Sequence, residues 1–337
     1  MKYSFIIPVY NRPDEVDELL TSLSAQTLKD FEVVVVEDGS SVPCADVVKK
    51  YGLCMDVRYF NKSNSGPGQT RNFGVEHARG EYMLILDSDV VLPEGYLAAV
   101  DEELCANDCD AFGGPDRAHE SFTKMQKAIN YAMTSFFTTG GIRGGKKKLD
   151  KFYPRSFNMG VKRSVYMALE GFSKMRFGED IDFSTRIFKG GYRCRLFPAA
   201  WVWHKRRTDL RKFFKQVHNS GIARINLTKR HPGTLKLVHV LPAVFTVGCA
   251  LLVVLAAAAA VTGCPHWWAM LLPFVLFAVL ILTDATLQNG SFGVGLRAVA
   301  AAYIQLWGYG SGFVRAWWRR CVLGRDEFEA FKKNFYK

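Results

Sequence analysis

The sequence has no lysine or arginine between Leu237 and Leu296, and Asp284 is the only acidic residue in that stretch. Apolar runs of about 20 residues with few or no charges are typical of helices that span a membrane. This absence of charge therefore indicates a membrane-embedded segment. We expect one spanning helix at about 237–262 and a second at about 267–287, joined by a short turn that also lacks basic residues.

A third apolar stretch, 292–314, is less regular because it contains Arg297, Gln305 and five glycines. The segment after it, 315–337, has seven basic and three acidic residues, and basic flanks are typical of the cytoplasmic side of a membrane. We therefore predict two crossings, a third segment that is interfacial or re-entrant, and a cytoplasmic basic tail. Three crossings would place that tail outside.

The N-terminus lacks the long apolar run of a signal peptide, because Pro8 and Asn11 follow soon after Met1. We therefore expect the N-terminal part to stay in the cytosol, in an integral protein of the cytoplasmic (inner) membrane. The eight cysteines show no metal-ligand spacing and no disulfide framework. In a cytosolic chain they are expected to be reduced.

The net charge of +12 is concentrated next to the apolar block, with ten Lys/Arg and one acid between Trp203 and Lys236. Basic residues in this position favour attraction to anionic membrane lipid over nucleic-acid binding. Segment 210–230 has apolar residues at helical spacing and basic residues on its other faces. It is predicted to be an interfacial amphipathic helix; the alternative is that it packs against the catalytic domain.

The N-terminal part alternates short apolar strands with helical segments. Strands are predicted at 3–9, 31–36, 56–60 and 82–86, which indicates an α/β fold with a mostly parallel sheet. Ligands of such sheets bind beyond the carboxyl ends of the strands, and polar clusters follow several of these strands. After the last of these strands comes Asp87-Ser88-Asp89, whose carboxylates suit a divalent cation and a phosphate, although Asp-Ser-Asp is also ordinary turn chemistry.

Taken in order, these elements resemble the family 2 glycosyltransferases of the GT-A fold. The resemblance covers roughly residues 3–225 and depends on seven motifs: Ser4-Phe5-Ile6-Ile7-Pro8-Val9-Tyr10-Asn11, Val36-Glu37-Asp38-Gly39-Ser40, Gly66-Pro67-Gly68-Gln69-Thr70-Arg71-Asn72-Phe73-Gly74, Leu86-Asp87-Ser88-Asp89, Asn158-Met159-Gly160, Gly178-Glu179-Asp180-Ile181-Asp182-Phe183 and Val202-Trp203-His204. Each motif is weak by itself, but their joint order is specific.

The resemblance implies a nucleotide-sugar-binding site formed by Pro8, Tyr10, Asn11, Asp38, Gly68, Arg71, Asp87 and Asn158. In the family, the residue matching Asp38 accepts a hydrogen bond from the base, typically N3–H of uracil, which suggests a UDP-sugar. Alternatively, Asp38 forms a turn or helix cap. Arg71 is expected to contact the nucleotide or its phosphates, unless it is a solvated helix residue.

The same resemblance implies that Asp89 and His204 hold Mg²⁺ or Mn²⁺, while Asp87 contacts the ribose or a metal-bound water. His204 could instead be a simple interfacial histidine. Asp180 is the expected general base of an inverting displacement, and Glu179 is expected to hold the sugar or the acceptor. The alternative for this acidic pair is capping of the following helix.

These expectations give residues 1–230 as a catalytic domain and 231–337 as a membrane domain. Processive family members carry Gln-x-x-Arg-Trp, and Gln216-Val217-His218-Asn219-Ser220 departs from it, so we expect transfer of a single sugar. The expected acceptor is a lipid-linked or membrane-proximal glycan of the cell surface; alternatives are a polyprenyl monophosphate or a non-catalytic membrane scaffold. The basic segment 140–148 is predicted to be either a solvated loop or a mobile lid.

Overall fold

The structure is a computed structural model that describes residues 1–117, 122–140, 152–205 and 208–327. The described residues form two compact units. The first contains residues 1–117 and 152–205, and the second contains residues 122–140 and 208–327.

The first unit contains the strands of the fold. They are β1 (Tyr3–Val9), β2 (Phe31–Asp38), β3 (Asp56–Lys62), β4 (Tyr82–Leu86), β5 (Val90–Val91), β6 (Ala111–Gly113), β7 (Asp116–Arg117), β8 (Asn158–Lys162), β9 (Cys194–Leu196) and β10 (Val202–His204). A larger sheet has the order β3-β2-β1-β4-β8-β6-β9, and a smaller one has the order β5-β10-β7. In the larger sheet only β8 runs antiparallel to its neighbours, so the predicted mostly parallel sheet is confirmed.

The helices, in chain order, are α1 (Pro13–Ser24), α2 (Ala45–Tyr51), α3 (Pro67–Glu76), α4 (Tyr96–Ala106), α5 (Lys124–Thr134), α6 (Phe136–Thr139), α7 (Arg163–Ala168), α8 (Glu179–Lys189), α9 (Leu210–Arg230), α10 (Leu237–Val261), α11 (Leu272–Asn289) and α12 (Phe292–Trp317). A short 3₁₀ turn, Trp267–Leu271, precedes α11, and a π-helical turn, Trp318–Val322, follows α12.

The core of the first unit lies on both faces of the larger sheet, because side chains alternate along each strand. On β1, Phe5 and Ile7 belong to the cluster that includes Leu19 of α1. The intervening residue Ile6 belongs to the opposite cluster, which includes Phe183 of α8. The sheet is therefore covered on both faces, and its strand ends are left to present polar residues.

The smaller sheet positions residues from distant parts of the chain at one such end. β10 pairs antiparallel with β5, and this pairing sets His204 opposite Val90. Val90 directly follows Asp89 in the sequence. The histidine that ends β10 is thereby brought to the acidic residues that follow β4.

In the second unit, α12 packs against several other helices. Ala298 and Ala302 contribute to a cluster with α5 and α11, while Ala301 joins a cluster that contains Phe213 of α9. Two helices, Leu237–Val261 and Trp267–Asn289, are long and apolar enough to cross a membrane. The expectation of two apolar C-terminal helices that could span a membrane is confirmed; the number of crossings stays a prediction.

The apolar residues of α9, among them Phe213 and Val217, pack against α5 and α12. This packing is close, because a side chain on Gly221 of α9 would overlap the backbone of Tyr309 in α12. The compact units divide the described chain before α9. The domain boundary at residue 230 and the interfacial position of α9 stay predictions.

Candidate active site

Two carboxylates and one imidazole converge where β4 and β10 end. One ligand atom from each of Asp87, Asp89 and His204 lies within 4.8 Å of the others. The Nε2 atom of His204 is 3.3 Å from Oδ1 of Asp89. The ring of His204 stacks on Phe157, with the ring centroids 4.9 Å apart, so the imidazole is held in place.

This donor set fits a divalent cation. Carboxylate oxygens are the ligands that Mg²⁺ prefers, and Mn²⁺ accepts both these oxygens and an imidazole nitrogen. Nδ1 of His204 is buried and has no hydrogen-bond partner in the described part of the chain, while Nε2 faces Asp89. Nε2 is therefore the nitrogen that a cation beside Asp89 would meet.

A cationic side chain already lies at this cluster. Nη1 of Arg12 donates to Oδ2 of Asp89 at 2.8 Å. Arg12 immediately precedes α1, and the pairing of β1 with β4 brings it close to the end of β4. Sequence reasoning did not single out Arg12, although it directly follows the Pro8–Asn11 turn that was assigned to the nucleotide.

Arg71 of α3 joins the aspartate pair to the acidic residues of α8. Its Nη2 donates to Oδ1 of Asp87 at 2.6 Å, and its Nη1 donates to Oε1 of Glu179 at 3.2 Å. The guanidinium also lies over the ring of Phe172. Because the side chain of Arg71 is only 4% exposed, the alternative of a solvated helix residue is wrong.

Glu179 and Asp180 form the first turn of α8, with side chains only 12% and 13% exposed. Nε of Arg155 donates to Oδ2 of Asp180 at 2.7 Å, and the backbone N–H of Ile181 donates to Oδ1. Asp180 therefore also has part of the capping role that was the alternative, because its carboxylate accepts a hydrogen bond from one backbone N–H group of the first turn.

The two neighbouring carboxylates differ in their protonation. Burial, together with the charge of Asp180, raises the pKa of Glu179. Burial also disfavours the charge of Asp180, but Arg155 and the Ile181 N–H outweigh it and lower the pKa of Asp180. Asp180 is therefore the residue that stays ionised, while Glu179 retains its proton to higher pH than an ordinary glutamate.

Asp38 ends β2 and is 1% exposed. Its carboxylate accepts hydrogen bonds from Lys62 Nζ at 2.6 Å, from the backbone N–H groups of Ser65 and Gly66 at 2.9 Å, and from Asn64 Nδ2 at 3.2 Å. These four donors occupy the lone-pair sites of a carboxylate. A nucleotide base could bind Asp38 only by displacing one of them, a constraint that the sequence did not reveal.

Asn11 has a positive φ of 54°, a conformation that Asn adopts more readily than most residues. Its Oδ1 accepts from the backbone N–H groups of Ser41 and Val42 at 2.8 and 2.9 Å. Asn11 therefore ties the turn after β1 to the loop after β2. Pro8 and Tyr10 lie in and just after β1, half-buried beside this turn.

Two other residues that were predicted to bind the nucleotide-sugar make contacts within the protein. Asn158 is 1% exposed; its Nδ2 donates to the Ala200 carbonyl and its Oδ1 accepts from Tyr96. Both ends of the amide therefore bond within the protein, and the assignment of Asn158 to the nucleotide-sugar site stays a prediction. At Gly68, an added Cβ would lie 3.3 Å from Cβ of Phe172 and 3.4 Å from Cγ of Glu179, so a side chain there would be tightly packed against these two residues.

Three cations at these carboxylates were not predicted: Arg12, Lys62 and Arg155. Only Arg12 adjoins a recognised motif; the other two become evident only from the pairing of β2 with β3 and from the position of Arg155 beside α8. The basic segment 140–148 lies, after Gly140, outside the described residues.

The sequence profile described as Glycosyl transferase family 2 matches residues 4–169. This part of the chain belongs to the family 2 glycosyltransferases. The matched residues contain the strands β1 to β4 and the Asp87–Asp89 pair.

Known proteins resemble this glycosyltransferase over different parts of the chain. The poly(ribitol-phosphate) β-N-acetylglucosaminyltransferase TarS of Staphylococcus aureus is 41% identical over 93 residues, which are 26% of this chain and 16% of TarS. The pre-mycofactocin glycosyltransferase of Mycobacterium tuberculosis is 29% identical over 235 residues, covering 67% of this chain and 47% of that protein. The matches span less than half the length of either curated relative.

The fold of this glycosyltransferase has a solved counterpart. The mannosyltransferase PcManGT from Pyrobaculum calidifontis, solved with GDP-Man and Mn²⁺, superimposes with a TM-score of 0.63 at 20% identity, covering 91% of this chain and 87% of that one. At this identity the likeness concerns the fold. It confirms the GT-A-type fold that was expected from the sequence.

Proposed function

We propose that this protein is a metal-dependent, inverting glycosyltransferase that moves one sugar from a nucleotide-sugar to a lipid-linked glycan at a membrane. The observation that carries the proposal is the convergence of Asp87, Asp89 and His204 beside the acidic pair of α8. Arg71 bridges these two groups, so the cation site and the candidate base belong to one constellation.

Transfer of the sugar from its nucleotide donor requires that the negative charge of the departing diphosphate is neutralised. Asp89 and His204 would hold Mg²⁺ or Mn²⁺, with Asp87 beside them. When bound, the cation stabilises negative charge on the departing nucleoside diphosphate. Arg12 adds a second positive charge at Asp89 and is free to meet a phosphate once a cation takes its place.

Asp180 is the proposed base. Its ionised carboxylate would take the proton from the acceptor hydroxyl while that oxygen forms its bond to the anomeric carbon and the bond to the diphosphate breaks. A single displacement from the face opposite the leaving group inverts the configuration. Arg155 holds Asp180 in the ionised form that this role requires, and Glu179, as the more readily protonated neighbour, can donate a hydrogen bond to the sugar or the acceptor.

The donor is proposed to be a UDP-sugar. TarS is named for transfer of N-acetylglucosamine, and PcManGT was solved with GDP-Man; both names support a nucleotide-sugar donor without naming the one used here. A uracil N3–H could donate a hydrogen bond to Asp38 only by replacing one of the four hydrogen-bond donors that already bind this carboxylate. Asn64 Nδ2 makes the longest of the four hydrogen bonds, 3.2 Å, and is the donor that a base would replace at least cost.

The membrane setting is proposed from α10 and the helix formed by Trp267–Asn289, both long and apolar enough to span a bilayer. Basic residues before and after these helices favour a catalytic unit on the cytosolic side of the cytoplasmic membrane, in contact with anionic lipid. Residence at the membrane raises the local concentration of an acceptor attached to a lipid, which supports a lipid-linked acceptor over a soluble one.

The direct test incubates the full chain in detergent with a panel of nucleotide-sugars and Mn²⁺ or Mg²⁺, and measures release of nucleoside diphosphate. One donor is expected to give metal-dependent release. Asp89→Ala should lower the rate about 100-fold or more, because a cation site supplies several kcal/mol. Asp180→Asn should lower transfer by roughly 10²- to 10⁴-fold, the usual contribution of a general base.

Asp101→Asn is the matched control, since Asp101 pairs with Lys2 and Tyr3 and has no contact with the site residues. It is expected to retain the rate of the unaltered protein. Release of diphosphate that is equally fast in Asp89→Ala and in Asp180→Asn would contradict the proposal. Glycosylation of soluble sugars with no transfer to lipid-linked glycans would overturn its acceptor part.

A further inference from the structure

Asn72 of α3 forms three hydrogen bonds with the residues that lead into α8. Its Nδ2 donates to the carbonyl of Phe172 at 2.9 Å, and its Oδ1 accepts from the backbone N–H of the same residue at 2.9 Å. Oδ1 also accepts from the hydroxyl of Tyr166 at 2.7 Å. Both lone pairs of the amide oxygen are therefore used, and one side chain binds both polar backbone groups of Phe172.

The backbone that Asn72 holds is a turn between α7 and α8. Glu170 and Gly171 have positive φ angles of 56° and 58°, and such a conformation is uncommon for a residue other than glycine. An added Cβ at Gly171 would lie 2.5 Å from Oδ1 of Asn72. Gln69 donates to the Phe172 carbonyl as well, at 3.1 Å. The turn thus brings Phe172 close against α3, where Asn72 binds its N–H group.

The position of Phe172 matters for Arg71, which lies over its ring. The guanidinium carbon of Arg71 is 5.2 Å from the ring centroid. Its Nη1 and Nη2 bond Glu179 and Asp87, while Nε is buried and has no hydrogen-bond partner among the described residues. The ring is 1% exposed and packs on Phe183, with the centroids 4.9 Å apart. It is therefore a fixed support for the guanidinium.

We infer that Asn72 is a positioning residue of the candidate active site, because it fixes the ring on which Arg71 rests. Without Asn72 the ring and the guanidinium can shift together. The hydrogen bond from Arg71 to Glu179, at 3.2 Å the longer of the two, is then the first to be lost. The inference rests on the proposed function, since it identifies what holds the carboxylate beside the proposed base. It gives a role to a residue of the 66–74 motif for which the sequence predicted none.

The first test needs no substrate and measures Tm against pH for the full chain in detergent. Burial and the charge of Asp180 raise the pKa of Glu179, and Arg71 lowers it, so loss of the Arg71 contact raises that pKa further. A raised pKa makes stability fall as pH rises, and Asn72→Ala should extend this fall in Tm to higher pH by about one pH unit. A constant offset between the two curves would show that Asn72 only stabilises the fold and would overturn the inference.

Two further variants separate the ring from the hydrogen bonds. Phe172→Leu keeps the backbone groups that bond Asn72 but removes the ring beneath Arg71, so it should shift the profile as Asn72→Ala does. Tyr166→Phe removes only the hydroxyl that bonds Asn72, so it should lower Tm without shifting the profile. Asn61→Ala, which alters an exposed asparagine on β3, is the matched control and should change neither. An unshifted profile in Phe172→Leu would overturn the inference even if Asn72→Ala failed to fold.

The same variants are then assayed for release of nucleoside diphosphate with the panel of nucleotide-sugars and cations. Asn72→Ala and Phe172→Leu are expected to lower kcat about 10- to 100-fold, because a small misplacement of groups in the site costs this much. Asn61→Ala should retain the rate. A shifted pH profile in Asn72→Ala, with no release by the unaltered protein, would refute the proposed function alone. Release by the unaltered protein, with an unshifted profile in Asn72→Ala, would refute this inference alone.

Discussion

The guanidinium of Arg71 lies 2.6 Å from the carboxylate of Asp87, and the arginine of this pair is almost completely buried. The same guanidinium reaches Glu179 at 3.2 Å. A buried ion pair of this kind is a weak source of stability, yet removal of one partner leaves the others uncompensated. Arg71 is therefore expected to act as a positioning residue that connects the cation site to the acidic pair.

Arg71→Met is expected to destabilise the first unit by about 3–5 kcal/mol, because it leaves buried carboxylates without a counter-charge. Thermal unfolding in the absence of ligand measures this loss. Arg193→Met is the comparison variant, since Arg193 is 64% exposed and lies 3.8 Å from Asp108. Its expected cost is below about 1 kcal/mol. Similar losses in both variants would show that the Arg71 bridge does not hold the unit together.

Glu179 should make the stability of the protein fall as pH rises. Its pKa is raised in the folded state, so the folded protein keeps this proton after the unfolded chain has lost it. The loss begins at the ordinary glutamate pKa and is complete once pH exceeds the raised pKa.

Glu179→Gln is therefore expected to raise Tm above neutral pH and to change it little near pH 4, below the ordinary glutamate pKa of about 4.3. Tm measured across this range for the two proteins provides the test. Glu81→Gln, which alters an exposed carboxylate, should leave the shape of the profile unchanged. A difference between Glu179→Gln and the unaltered protein that stayed constant with pH would contradict the predicted protonation of Glu179.

Arg12 and a divalent cation should compete for Asp89. Arg12→Ala removes a positive charge 2.8 Å from Oδ2 of Asp89, so Mn²⁺ is expected to bind the donor-free protein more tightly, by about three- to tenfold. His204→Ala should weaken Mn²⁺ binding in the same assay. Electron paramagnetic resonance of free Mn²⁺ measures both constants, with Arg12→Lys as the charge-preserving control. Weaker Mn²⁺ binding by Arg12→Ala would refute the competition.

The close packing of α10 and α12 can be tested by adding single methyl groups. Gly310→Ala is expected to cost about 1–3 kcal/mol, because the new Cβ overlaps Pro242 and Thr246 and the helices must separate. Gly248→Ala lies on α10 with nothing within 4 Å of its new Cβ, so it should be neutral or stabilise by up to about 1 kcal/mol. Thermal unfolding in detergent compares the two. A cost for Gly248→Ala as large as that for Gly310→Ala would contradict this packing argument.

Much of the fold could be predicted because its signals are local. Each of the first strands is a short apolar run that ends in polar residues, and alternation with helices implies parallel pairing. The two apolar helices follow from the absence of charge over a length that matches a bilayer. The surroundings of α9 could not be predicted, since an amphipathic pattern shows that one face must be covered without showing what covers it.

The candidate site was predictable in part for the same reason. Asp87, Asp89, Asp180 and His204 stand in recognisable motifs, and the structure brings the first two together with His204, while the role of each stays a prediction. The protein partners of Asp38 and Asn158 were beyond the sequence, because Lys62, Tyr96 and Ala200 reach them through strand pairing and helix packing. A hydrogen-bond partner far along the chain leaves no local pattern.

The sequence by itself determined the family, the order of strands and helices up to β4, and the presence of two apolar helices, since each depends on residue type and spacing along the chain. Only the tertiary structure decided the pairing of the charged groups. It buried Arg71 between Asp87 and Glu179, set Arg155 on Asp180, and closed α12 against α9 and α10 through glycines. Protonation and packing depend on distances between atoms, and those distances exist only once the chain has folded.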